Sequence, residues 1–116
     1  MKSESEAKLL RIFVGESSKT GGTPVYEKIV TEARAHGLAG ATVFKGVMGF
    51  GKSSIIHTSK IMRLSEDMPM IIEIVDKTEK IDDFTPIVRE IFESSNSGGL
   101  ITVEKAGIIH YATGKE

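Results

Sequence analysis

The chain has 116 residues, and 15 lysine and arginine residues against 16 aspartate and glutamate residues give a formal net charge of −1. This length suits one domain, and the near-neutral charge argues against a protein whose main role is to bind nucleic acid. Cysteine is absent. The first residues are charged and no long apolar run exists, so we expect the protein to stay in the cytoplasm.

The first half of the chain predicts a strand followed by a helix. Residues 8–15 are rich in branched and aromatic side chains and end at a glycine, which is typical of a strand. Thr23 and Pro24 then offer an N-cap hydroxyl and a proline at the first helical position. Apolar residues recur at intervals of three and four until Gly37, which we expect to cap the C-terminus of this helix.

Two strands and a long loop come next. Residues 41–44 predict a second strand that leads directly into a glycine-rich segment. From residue 46 to residue 67 the chain alternates glycine, hydroxyl and basic residues, which indicates a long flexible loop. Residues 70–75 then form the strongest strand pattern in the chain.

A second helix and a last strand complete the chain. Asp76 and Glu79 have the spacing of a capping box, and an apolar helical stripe follows. Pro86 interrupts this stripe, and it costs little only if the helix begins late enough for its amide to be among the first four. The helix is expected to end in the 94–99 turn, before a strand over residues 100–111.

This element order predicts an α+β fold, the ferredoxin-like (βαββαβ) sandwich with a four-stranded antiparallel sheet. The domain is expected to span residues 8–111, between polar tails at residues 1–7 and 112–116. Both helices should cover one face of the sheet. Apolar residues on the strands, such as Phe44 and Ile72, raise the question of what covers the other face, and a homo-oligomer is one answer.

Residues 46–53 fit the spacing G-x-x-x-x-G-K-S of a phosphate-binding P-loop. A true P-loop opens a long helix packed on a parallel sheet, whereas Ser53 is followed by poor helix formers. The alternative function, a small P-loop-type or metal-dependent nucleotide hydrolase, therefore ranks second. Glycine-rich amides beside Lys52 still suit an anion site, and a mobile loop explains the same glycines equally well.

The remaining polar residues give no catalytic or metal constellation. No nucleophile, base and orienting acid are brought together by local spacing, so we do not expect an enzyme. The three histidines are far apart in sequence, and we predict no metal site. His36 suits a helix C-terminus, while His57 lies near Lys52 and is placed to contact an anion.

Several segments resemble known proteins. Residues 37–43 and 49–52 resemble the segment that leads into the large loop of the nitrogen regulatory PII signalling proteins. Residues 69–75 resemble the third strand of that family, and residues 99–103 resemble its later nucleotide-contacting turn with the final strand. An uncharacterised PII-like family is more similar still, in residues 9–16, 46–51 and 57–60. The resemblance covers roughly residues 8 to 110.

The resemblance implies a homotrimer whose sheets face inward and which binds an adenine nucleotide in the clefts between subunits. Thr42 would lie near the adenine. The residues that would border the phosphates are Gly49, Phe50, Gly51, Lys52 and Ser53, with Gly98 and Gly99 approaching from a neighbouring subunit.

Two departures from PII bear on the ligand. The turn at Gly98 and Gly99 continues with Leu100 and Ile101, without the lysine that grips phosphate in PII, and a pair of arginines is missing from the tail. We therefore expect AMP or ADP, or cyclic AMP, to bind better than ATP. The resemblance also implies signalling through the long loop, with a membrane transporter or channel as a candidate partner.

Overall fold

A computed structural model describes residues 5–50 and 67–114. Six strands and two helices follow one another in this part of the chain. Their bounds are β1 Ser5–Gly15, β2 Lys19–Thr20, β3 Thr23–Pro24, α1 Val25–Ala35, β4 Thr42–Lys45, β5 Pro69–Lys77, α2 Thr78–Ser95 and β6 Gly99–Ile108. The predicted order of the main elements is confirmed.

The four long strands form one antiparallel sheet in the order β4-β5-β1-β6. The central strands β1 and β5 are therefore each paired with a neighbouring strand on both sides, and β4 and β6 are the two edge strands of the sheet. Both helices pack against the same face of this sheet. The predicted ferredoxin-like fold is thus confirmed.

The core lies between that sheet face and the helices. Alternate residues of β1 and β5 point into it, as the period of two in a half-buried strand requires. The largest fully buried side chains are Leu10, Ile12, Ile72 and Ile74 from the strands, Val25 and Ile29 from α1, and Ile81, Phe84 and Val88 from α2. The helical stripes expected from the sequence are the faces that meet this layer.

The other sheet face, called the open face below, carries an apolar row across all four strands. In register order from edge to edge, the row consists of Phe44, Ile71, Phe13 and Leu100. Phe44 is 48% exposed and Leu100 is 53% exposed. Ile72, by contrast, faces the helices and is fully buried. Of the two strand residues that the sequence analysis named as candidates for an oligomer interface, only Phe44 therefore lies on the uncovered sheet face.

The start of α1 differs from the sequence prediction. Pro24 is the N-cap residue and no side chain caps the helix. Thr23, expected to supply the capping hydroxyl, instead pairs with Thr20 in a small hairpin. Gly21 and Gly22 form its turn with φ values of +57° and +86°, which glycine adopts without steric cost. The C-terminal prediction is confirmed, since α1 ends before Gly37 with φ +78°.

The capping box predicted at the start of α2 is wrong. Lys77 is the N-cap residue and no side chain caps this helix either. Asp76 belongs to β5, where its buried carboxylate accepts hydrogen bonds from the backbone N–H groups of Ala39 (2.8 Å) and Lys77 (2.7 Å). A short polar side chain at this position therefore ties the α1–β4 connection to the end of β5.

Pro86 does not lie in the first turn of its helix. Because α2 begins at Thr78, Pro86 is an interior residue, and the carbonyl of Asp82 has no amide hydrogen to accept. Pro86 is exposed, so water can reach that carbonyl, and the helix continues because its opposite side is packed in the core. No helix in the described part of the chain is long and apolar enough to cross a membrane.

Candidate functional site

The glycine-rich turn follows β4 and packs closely on Pro69. The backbone N–H of Gly46 donates to the Pro69 carbonyl at 2.7 Å, which extends the β4–β5 ladder by one residue. A Cβ atom at Gly46 would lie 2.6 Å from the Pro69 Cγ atom, and one at Gly49 would lie 3.2 Å from it. Contact with the proline ring therefore accounts for Gly46, whether or not a ligand also approaches it, whereas a Cβ atom at Gly49 would require only a small movement of the ring.

Apolar side chains project from this turn. Val47 is 91% exposed, Met48 is 67% exposed and Phe50 is 69% exposed. Nothing in the described part of the chain covers them. Neighbouring exposed apolar side chains are typical of surfaces that contact another molecule, so this turn is a candidate contact surface.

Polar contacts fix both ends of the predicted long loop at the same end of the sheet, called the loop end below. The N–H of Ser17 donates to the Asp67 carboxylate at 2.9 Å, and the N–H of Glu16 donates to the Met68 carbonyl at 2.8 Å. Lys45 forms an ion pair with Glu16 at 3.2 Å. The exit and the return of the loop are thus anchored to the β1–β2 connection.

Thr42 lies at the start of edge strand β4 and is exposed. Its partner across the ladder is Glu73 of β5, and the two share the open face. The hydrogen bond from the Ala39 backbone N–H to the Asp76 carboxylate fixes the position of the chain just before Thr42. Along one strand, Thr42 is separated from Lys45 by about 10 Å, so Thr42 and the glycine-rich turn occupy one edge of the sheet.

An ion-pair network that sequence reasoning missed begins beside Thr42. The Nε atom of Arg11 donates to Glu73 at 2.8 Å and its Nη1 atom donates to Glu104 at 3.1 Å. The hydrogen bond to Glu73, followed by that to Glu104, raises the pKa of Arg11 above its usual value. The available signal was a single charged residue within an otherwise apolar run in each strand, residues 9–14 of β1 and 70–75 of β5.

The second glycine turn lies on the opposite edge. Asn96 ends α2 in the left-handed region with φ 55°, and Gly99 opens β6 opposite Val14. A Cβ atom at Gly99 would lie 2.5 Å from the Phe13 carbonyl oxygen and 2.5 Å from the Phe92 ring. Tight packing therefore requires this glycine in the folded chain, independently of any ligand.

The described residues of the two predicted half-sites lie apart in a single chain. Lys45, which precedes the first turn, and Gly99 lie in the same register row at the loop end, but on the two outer strands. Three strand spacings of about 4.8 Å separate them by about 14 Å. Thr42, Gly49 and Phe50 share the β4 edge, while Gly98 and Gly99 are at the β6 edge.

The other predicted site residues, Gly51, Lys52, Ser53 and His57, lie outside the described residues. Among those described, no group of three or more metal-ligating side chains comes together. A groove of about 740 Å³ runs between α2 and β6 on the helix side, lined in part by Lys8, Arg89 and Val103. Of the predicted site residues that the structure describes, none lines that groove.

Similarity to solved structures defines the class of fold. CPII from Thiomonas intermedia K12, in a structure described as bound to ADP and bicarbonate, superposes with a TM-score of 0.66 at 17% identity, over 92% of each chain. A putative PII-like signaling protein from Thermus thermophilus gives a TM-score of 0.62 at 17% identity, again over 92% of each chain. The chain therefore has the fold of PII-like proteins.

Sequence similarity defines the family. Residues 7–108 match the family DUF190, described as "Uncharacterized ACR, COG1993". A UPF0166 protein of Aquifex aeolicus is 40% identical over 103 residues, which cover 89% of this chain and 93% of that protein. A UPF0166 protein of Methanocaldococcus jannaschii is 36% identical over 98 residues, or 84% and 87% of the two chains. The chain belongs to the DUF190 (UPF0166) family, and the resemblance noted in its sequence is confirmed.

Proposed function

We propose that the protein is a PII-like regulator that binds an adenine nucleotide between the subunits of a homotrimer. The observation that carries this proposal is the placement of the two predicted half-sites on opposite edges of the sheet, with the start of the first glycine turn and Gly99 both at its loop end. A head-to-tail contact joins unlike edges, and it closes into a ring when the rotation from copy to copy closes. In a trimer of this kind the β4 edge of one copy would lie beside the β6 edge of the next. Structures of CPII described with bound ADP and AMP support the choice of ligand.

The open face supports the proposed assembly. Its apolar row crosses all four strands without interruption, and the two end residues, Phe44 and Leu100, are about half exposed in the single chain. Burial of apolar area is the main favourable contribution to association. Three sheets that face inward would remove this row from water, and the ion pairs of Arg11 in the next row would satisfy the charges that are enclosed with it.

AMP, ADP or cyclic AMP is proposed as the ligand in preference to ATP. The turn at Gly98 and Gly99 carries no lysine in its next two positions. Lys45, the described lysine next to the other turn, already pairs with Glu16 at 3.2 Å. Few cations are therefore free in the described half-sites to neutralise a triphosphate.

The proposed output is contact with a partner protein through the loop over residues 46–67. The exposed Val47, Met48 and Phe50 side chains support a docking role for the start of this loop. A membrane transporter or channel is the class of partner that the sequence resemblance implies. A location in the cytoplasm stays a prediction from the sequence.

We further propose that the protein regulates rather than catalyses. The P-loop alternative requires a parallel sheet beside the motif, whereas β4 runs antiparallel to β5. Incubation with ATP and magnesium, followed by measurement of released phosphate, distinguishes the two functions. Sustained release that Lys52→Ala abolishes would establish the hydrolase instead.

Calorimetric titration with AMP, ADP, ATP and cyclic AMP tests the ligand. We expect the protein to bind at least one of AMP, ADP and cyclic AMP, and to bind ATP more weakly. Absence of heat with all four nucleotides would contradict the proposal.

Light scattering tests the assembly with a matched pair of variants. Leu100 and Val103 lie on β6 and are both 53% exposed, but Leu100 belongs to the open face and Val103 to the helix side. Leu100→Glu should dissociate the trimer, because it places a charge in the apolar row, and Val103→Glu should not. Equal masses for both variants would exclude the open face as the interface.

A further inference from the structure

Arg11 joins three strands of the open face through its side chain. It lies on central strand β1, and its two carboxylate partners come from the strands on either side, Glu73 on β5 and Glu104 on β6. The guanidinium is planar and offers donors in a fixed fork, so it can orient two carboxylates at once. Lysine, with a single point of charge on a flexible stem, cannot reproduce this geometry.

The network is continuous with the proposed ligand edge. Glu73 is the direct cross-strand partner of Thr42, and such partners have Cβ atoms about 5 Å apart. Among the described residues, Arg11 is the only hydrogen-bond partner of the Glu73 side chain, and it engages the Oε2 atom. With respect to residues 5–50 and 67–114, the second carboxylate oxygen is therefore available for a hydroxyl or amino group of a ligand at Thr42.

A glutamate side chain without a fixed neighbour samples several rotamers, and ordering it on binding lowers affinity. Arg11 removes this freedom before a ligand arrives, because the Glu73 carboxylate is already hydrogen-bonded in one orientation. Glu104 in turn restrains Arg11, at 3.1 Å. The Glu73 carboxylate beside the β4 edge is thus held in place by Arg11, which is itself held by Glu104 on the opposite edge strand, β6.

We propose that Arg11 is a positioning residue, which holds the Glu73 carboxylate beside Thr42 so that it can accept a hydrogen bond from the bound nucleotide. This role rests on the proposed function, since it requires a ligand at the Thr42 edge. Arg11 acts through Glu73 and makes no ligand contact of its own.

A double-mutant cycle measured by calorimetry with ADP tests the role on the full chain. Loss of one ordered side chain is expected to weaken binding by about two- to tenfold in Arg11→Met. In a Glu73→Ala background, Arg11→Met should cause no further loss, because the residue through which it acts has gone. Arg11→Lys should fall between wild type and Arg11→Met, and it serves in place of Arg11→Met if that variant does not fold.

Lys8→Met is the matched control. Lys8 lies on the same strand and its side chain is 29% exposed, as is that of Arg11, but its ion pair at 2.7 Å joins Asp82 on the helix side. ADP affinity should be unchanged in this variant. Thermal midpoints and masses of all variants are recorded at equal protein concentration.

Three results would overturn the positioning role while leaving nucleotide binding intact. These are equal weakening by Arg11→Met in both backgrounds, unchanged affinity in Arg11→Met, or an equal loss in Lys8→Met, which would indicate a general effect on stability. If the wild-type protein binds AMP or cyclic AMP but not ADP, the cycle is measured with that nucleotide. Absence of binding of AMP, ADP, ATP and cyclic AMP by the wild-type protein would instead refute the proposed function, and the positioning role with it.

Discussion

Gly99→Ala tests whether packing or a ligand accounts for the second glycine turn. The added Cβ atom would lie 2.5 Å from the Phe13 carbonyl oxygen and 2.5 Å from a carbon of the Phe92 ring. The ring can rotate away, but the carbonyl belongs to central strand β1, so β6 must shift. Overpacking of this kind costs about 1–3 kcal/mol, which corresponds to a fall in the thermal midpoint of roughly 4–12 °C for a domain of this size.

Gly40→Ala is the control for this experiment. No atom lies within 4 Å of a Cβ atom built at Gly40, and its φ is not in the left-handed region. The substitution should therefore be neutral or stabilise the fold by about 0.4–1 kcal/mol, since alanine restricts the unfolded chain.

Thermal unfolding of the two variants and the wild type is compared without nucleotide and at one protein concentration, because assembly shifts the midpoint. A Gly99→Ala midpoint equal to that of Gly40→Ala would refute the packing argument. Any loss of nucleotide affinity in Gly99→Ala could then be assigned to direct contact.

Three further predictions concern the turn, the buried carboxylate and the arginine network. Gly46→Ala should lower stability by about 1 kcal/mol in urea unfolding, because the new Cβ atom would lie 2.6 Å from Pro69 Cγ; an unchanged midpoint would show that the ring yields freely. Asp76→Ala should cost about 1–3 kcal/mol and speed amide exchange at Ala39, which loses its acceptor; retained protection there would contradict this. Since the pKa of Arg11 is raised in the folded chain, the stability that its positive charge contributes is fully present below the usual arginine pKa and is lost as the pH rises through the raised value. The difference in thermal midpoint between wild type and Arg11→Met should therefore stay constant from about pH 7 to about pH 10, and a decline over that range would refute it.

Much of the fold could be predicted from local pattern. Each of β1, β5, α1 and α2 turns one side toward the common core. Apolar residues therefore recur with a period of two in the strands and at intervals of three and four in the helices, and this periodicity is visible in the sequence. The predictions of the helix N-termini failed because each of two residues is suited to more than one structural role. Thr23 suits an N-cap or a hairpin, and Asp76 suits an N-cap or a buried acceptor for Ala39.

The element order, the family resemblance and the two glycine turns could all be predicted without coordinates, because each depends on residues near one another in the chain. The edge that each turn occupies became known from the folded chain, since strand order is set by pairing between distant segments. The folded chain also showed that Gly99 packs under Phe92, and that Arg11 meets Glu73 and Glu104. Those contacts depend on sheet register across residues far apart in sequence, which no local pattern records.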